Sequence, residues 1–131
     1  MNNGQIQGLL IDPWNRTVQP VVCAAGEATL HDMYKFIGCD CVDRVVWPVP
    51  KSRNDIWVDD NGLLYEPVPA SFNVRGYPQP LAGRGLVLGF TNSGRSVSTS
   101  LTIDQVKHAI QWELWELRIS AKDAIRMQKA E

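Results

Sequence analysis

"GRGLVLGF" at residues 83–90 sets three glycines and an arginine around a run of leucine and valine. Two readings compete for it, and the fold differs between them. A phosphate-binding loop would follow a strand and open a helix, so that backbone amides and a helix N-terminus face the anion. A buried strand would instead be a short apolar run bounded by turn residues. The dinucleotide fingerprint fails because Leu88 stands at its last glycine position, and the P-loop fails because no Gly-Lys-Ser/Thr occurs. Residues 85–90 therefore read as a strand. It is entered from the proline-bearing "GYPQP" (76–80) and left through the hydroxyl-rich "TNSGRSVSTSLT" (91–102).

Working outward, "QIQGLLID" (5–12) and "TVQPVVC" (17–23) are β-branched apolar runs joined by "PWNR", a turn sequence. Pro20 places the second run at a sheet edge or at a bulge. "TLHDMYKFIG" (29–38) changes period. Thr29 is the expected N-cap, Asp32 lies in the first turn, Leu30, Met33, Tyr34 and Ile37 share a face, and Gly38 closes a short helix. "CVDRVVWPV" (41–49) returns to strand. "DIWVDDNGLLYEPV" (55–68) predicts a hairpin around Asn61-Gly62, the pair that suits a type I′ turn.

From Ile103 onward the pattern reads as one long helix over about 103–128, capped by Thr102 with Gln105 three residues later. At 1.5 Å per residue it would span about 39 Å, crossing a domain whose radius of gyration is about 14 Å. Ile103, Val106, Ile110, Leu114 and Leu117 form a core stripe. Trp112, Trp115 and Ile119 fall on the opposite side, between a basic flank and an acidic one. Such a second apolar face is either an intermolecular seam, with a homodimer first, or a face covered within the same domain. The expectation is one α+β domain over 1–131, with a mainly antiparallel sheet, one short helix and a long C-terminal helix.

Composition bounds the partners. The 131 residues carry 13 basic and 14 acidic side chains, net −1, with 44% hydrophobic residues. That balance argues against general nucleic-acid coating, which needs a basic footprint. No apolar run approaches the roughly 20 residues of a membrane span, and the N-terminus shows no signal pattern, so a soluble cytoplasmic protein is expected.

Little in the chain points to catalysis. His31 and His108 are the only histidines, and no serine sits in a nucleophile elbow. Cys23, Cys39 and Cys41 have no histidine partner in sequence and read as free thiols rather than a metal site. No enzyme activity, cofactor or metal is expected. Binding has better material. Arg84 lies between glycines, where backbone amides can form an anion nest. Arg95, Ser96, Ser98 and Thr99 precede a helix N-terminus. Tyr77 offers a face for a base to stack on. Against this stands plain turn chemistry, and the residues alone leave both open.

The runs "IDPWNRTV", "MYKFIGCDCV", "WVDDNGLL", "GYPQPLAGRGLVLG" and "SVSTSLTIDQV" resemble those of small uncharacterised proteins encoded by bacteriophages and other mobile elements. The resemblance covers most of 9–106 and implies an accessory protein acting inside a bacterial host. Two roles fit a small binder of this kind. One is sequestration of a small anionic nucleotide signal, a counter-defence role, through Tyr77, Arg84, Arg95, Ser96, Ser98 and Thr99. The other is a protein–protein inhibitor that masks a host enzyme with the Trp112, Trp115 and Ile119 face.

Overall fold

Residues 85–90 are the middle strand of the molecule. The computed structural model describes residues 4–65 and 69–113. In chain order the elements are β1 (Gln5–Asp12), β2 (Thr17–Ala24), α1 (Ala28–Ile37), β3 (Val42–Val46), β4 (Asn54–Asp59), β5 (Ser71–Val74), β6 (Leu81–Ala82), β7 (Gly85–Phe90), β8 (Ser96–Val97), α2 (Ile103–Ala109) and β9 (Ile110–Trp112). The main sheet runs β2-β1-β7-β4-β3, with β8 also on β7, and a second sheet runs β6-β5-β9. All pairs are antiparallel. β2 is an outer strand, which tolerates the N–H missing from Pro20.

Both faces of β7 are buried, which is why its apolar run is continuous rather than alternating. On one face Val87 joins Leu9, Ile11 and Ile56 under Phe72 and Val74 of the second sheet and Val106 of α2. On the other, Leu86 and Leu88 join Ile6 and Cys23 under Met33 and Ile37 of α1. The glycines make this stacking possible. A Cβ on Gly85 would stand 2.8 Å from Phe72 Cζ, and one on Gly89 would stand 2.7 Å from the Ser98 carbonyl oxygen. These two glycines serve close packing, not a phosphate.

The long C-terminal helix is overturned. α2 has seven residues, opened by the expected capping box: Gln105 N–H donates to Thr102 Oγ1 (3.1 Å) and Thr102 N–H to Gln105 Oε1 (2.9 Å). At Ile110 the backbone turns extended (φ −101°, ψ 138°). It then pairs with β5 through Val74↔Ile110, Asn73↔Gln111 and Phe72↔Trp112. The open edge of β5 offers backbone groups that must find partners, and this tertiary demand outweighs a local helical pattern. Trp112 is half-buried and packs against the core around Phe72. Trp115 and Ile119 lie outside the described residues.

Three smaller expectations also change. β4 pairs with β3 and β7 rather than forming a hairpin about Asn61-Gly62. Asn61 has φ −103°, its N–H is held by the Asp59 carboxylate (3.0 Å), and a 3-10 turn follows at Gly62–Leu64. A type I′ turn needs positive φ there. Helix α1 takes Glu27, not Thr29, at its N-cap. Asp32 lies beyond the first turn, which holds no acidic residue. Thr29 donates to the Ala24 carbonyl (2.6 Å), and Asp32 accepts the Ala24 N–H (2.7 Å), so both tie the helix to the end of β2. Gly38 ends α1 in the left-handed region, donating to the Tyr34 carbonyl at 2.8 Å. Leu30, expected on the packed face, is exposed. No helix among the described residues is long and apolar enough to cross a membrane.

Candidate functional site

The structure separates the expected anion ligands. Arg84 precedes β7 and Arg95 follows it, so the strand's length, about 17 Å, lies between them. Arg84 is already occupied. Its Nε lies 3.4 Å from Asp12 Oδ2, and its guanidinium stacks on the Trp14 ring at 4.9 Å. Asp12 in turn accepts the N–H groups of Trp14 (3.0 Å) and Asn15 (3.2 Å) and the Asn15 side-chain amide (2.9 Å). Burial alone would raise the Asp12 carboxyl, but Asn15, Arg84 and the Trp14 N–H together hold it below its ordinary value. This is the lock of the β1–β2 turn.

Ser98 and Thr99 are also structural. Gln7 N–H donates to Ser98 Oγ (2.9 Å), and Thr99 N–H to the Gln7 carbonyl (2.9 Å). Thr99 Oγ1 donates to buried Asn54 Oδ1 (2.6 Å). The hydroxyls thus fasten the connector to β1 and β4. Arg95 and Ser96 do share a cavity of about 430 Å³, with Gly26 at the start of α1. Tyr77 is not part of it.

Tyr77 belongs instead to a groove at the junction of α2 and β9. The Val74–Tyr77 turn is closed by Tyr77 N–H to the Val74 carbonyl (2.9 Å), with Gly76 at φ 91° in the position where a type II turn demands it. Arg75 N–H donates to the Ala109 carbonyl at 2.8 Å, fixing the turn to the end of α2. Two cavities meet there, of about 440 and 510 Å³, and both are lined by Arg75, His108 and Ala109.

Their linings differ. The smaller has an apolar wall of Trp47, Val49 and Leu101, with Asp104 and Gln105 from the first turn of α2 beside it. The larger has Asn73, Gly76, Tyr77 and Gln111 alongside Arg75 and His108, and the Asn73 amide donates to Glu113 Oε2 at 3.0 Å. Arg75 is exposed and makes no ion pair among the described residues. His108 Nδ1 lies 2.7 Å from the Asp104 carbonyl oxygen, which can only accept. Nδ1 therefore carries the proton, and Nε2 is left to accept or, once protonated, to donate.

The sequence matches a domain of unknown function, DUF3846, over residues 6–113. The chain belongs to that family. The matched region runs from within β1 to the residue after β9, so both sheets, both helices and the groove lie within it. No curated protein and no solved structure matches the chain.

The three cysteines of this DUF3846 domain line neither cavity of the groove. Burial pushes the Cys23 thiol up to about 11. Cys39 and Cys41 are also raised, first by burial and then by the carboxylates of Asp59, Asp40 and Asp60 around them. A raised thiol is a poor nucleophile at neutral pH. No group of His, Cys, Asp and Glu among the described residues is arranged to hold a metal ion. The groove residues Arg75, His108 and Trp47 were not singled out as ligands from the sequence. Arg75-Gly76 is a dipeptide that the chain repeats at Arg84-Gly85, where the glycine opens β7 instead of making a turn.

Proposed function

We propose that this DUF3846 domain is a non-catalytic binding protein that captures a small nucleotide-type anion in the groove at the α2–β9 junction. The observation that supports it is the position of Arg75. Its exposed guanidinium, which makes no ion pair among the described residues, stands where a polar cavity meets one with an apolar wall. The polar side takes phosphate, with Arg75 as the charged donor and Gln111 and Tyr77 as neutral donors. The apolar side, floored by Trp47 and Leu101, takes a flat ring. Tyr77 keeps a place in the site, as a phosphate partner rather than a stacking face. In the accessory-protein setting that the sequence resemblance implies, such capture would act in counter-defence, sequestering a nucleotide signal. The alternative is a protein–protein inhibitor using the Trp112, Trp115 and Ile119 face, of which Trp112 is half-buried against the core and the other two lie outside the described residues.

The test is a thermal-shift panel of linear and cyclic nucleotides on the full chain. A ligand at one hundred times its dissociation constant stabilises the fold by about 2.7 kcal/mol, a readily visible rise in Tm. Arg75→Ala is expected to abolish the shift while leaving the ligand-free Tm within about 1 °C, since its side chain is exposed. A panel without any shift overturns the reading.

A further inference from the structure

We propose that a second copy of this chain pairs with the outer edge of β9, joining the two small sheets into one across a twofold axis. Four strands end the two sheets, and they differ in how their edges are closed. β2 carries Pro20, and β3 carries exposed Asp43 and Arg44, both devices that discourage pairing. On β6, Gly62 of the 3-10 turn lies so close that a Cβ there would stand 2.9 Å from the Ala82 carbonyl oxygen. β9 has no proline and no charged side chain, and no strand among the described residues pairs with its outer side.

The hydrogen-bond phase of β9 sets what this edge offers. Arg75 N–H donates to the Ala109 carbonyl (2.8 Å), and Glu113 N–H to the Ser71 carbonyl (3.1 Å). Bonded and non-bonded pairs alternate in an antiparallel ladder, so Gln111 turns its backbone groups to β5 and Ile110 and Trp112 turn theirs outward. The Ile110 N–H is spent on the Lys107 carbonyl at the end of α2. The Ile110 carbonyl and the Trp112 N–H remain, an acceptor and a donor two residues apart. That set is self-complementary. About a twofold axis at Gln111, the Trp112 N–H of each copy donates to the Ile110 carbonyl of the other. Gln111 then faces Gln111 in the pair without backbone bonds, where each amide offers both a donor and an acceptor. On the core side, half-buried Ile110 meets half-buried Trp112, a β-branched side chain against an aromatic one. Ile110 and Gln111 also line the larger cavity of the groove, so Gln111 of the second copy stands at its wall. The pairing does not depend on what that cavity holds.

Light scattering on the full chain at about 100 µM, well above a micromolar dissociation constant, is expected to give twice the mass of one chain. Gln111→Cys then reads the register. In a non-hydrogen-bonded antiparallel pair the Cα atoms are about 4.5 Å apart, within disulfide reach. With oxidised glutathione this variant is expected to run as a covalent dimer on a non-reducing gel. Wild type, which controls for the three native cysteines, and Lys107→Cys, exposed on α2, are expected to remain single chains. A monomeric wild type overturns the proposal and leaves the edge to the chain's own residues or to solvent. A dimer in which Gln111→Cys cross-links no more than those two controls places the contact on another surface, and overturns it equally. The wild-type mass stands as a test on its own if a variant folds poorly.

Discussion

Arg84 and Arg75 occupy similar places in the chain and have different fates. Each neighbours a glycine of positive φ, Gly83 at 82° and Gly76 at 91°, and each sits at the end of a short strand. Arg84 meets the Asp12 carboxylate and the Trp14 ring, both contributed by a turn some seventy residues earlier. Arg75 makes no ion pair among the described residues, and the walls around it are concave. The difference teaches that an arginine's role is set less by its own turn than by what the topology brings opposite. A neutralised guanidinium is part of the frame, whereas an uncompensated one in a cleft is available to a ligand.

The most direct way to break the comparison is to unlock Arg84. Asp12→Ala removes one buried carboxylate that serves two backbone N–H groups, an amide and a guanidinium. Leaving such donors unpaired costs about 2–3 kcal/mol. A urea titration is expected to show that loss with nucleotide affinity unchanged, because the groove lies on other elements. Lost affinity in the refolded variant would mean that the two regions are coupled. A smaller effect is expected from Arg84→Ala, about 1 kcal/mol, since the pair is part-exposed and the stacked ring adds only modestly. Against this, Arg75→Ala is expected to lose about 1.5–3 kcal/mol of binding and almost no stability. If Arg84→Ala abolished binding and Arg75→Ala did not, the assignment of roles would be reversed.

How much of this could be read from the residues depends on how local each cause is. The β7 strand was legible because its glycines fail both phosphate patterns, and the Thr102–Gln105 capping box and the Gly38 stop are four-residue matters. The end of α2 was not legible. Ile110, Gln111 and Trp112 continue a helical period in sequence, and only the open edge of β5, some forty residues away, draws them into a strand. The Asn61-Gly62 pair misled for a related reason. Gly62 is needed because a Cβ there would stand 2.9 Å from the Ala82 carbonyl oxygen, a packing demand rather than a turn. Of the six expected ligands, Tyr77 reached the groove. Its neighbours Trp47, Arg75 and His108 come from three separate segments, and nothing in their sequence spacing marks them as a set.

The smallest effect separates the two buried aspartates by pH. Asp12 is held below its ordinary carboxyl value of 3.8, so on acidification the unfolded chain takes up the proton first. Its contribution is present above that value and is lost as pH falls through the lower folded one. Asp55 has the opposite sign. It lies 2.7 Å from Arg44, yet burial raises its carboxyl above 3.8 despite that partner, and its Oδ1 has no hydrogen-bond partner among the described residues. Here the folded state takes up the proton first, so stability declines as pH rises from 3.8 through the raised value and is level beyond it. Urea midpoints followed through that range are expected to lose their acid-side fall in Asp12→Asn and their decline above pH 3.8 in Asp55→Asn. Two arginine–aspartate pairs of similar appearance would then be told apart. Asp12 is stabilised as a carboxylate by four donors, whereas Asp55 is a carboxylate that one arginine only partly compensates.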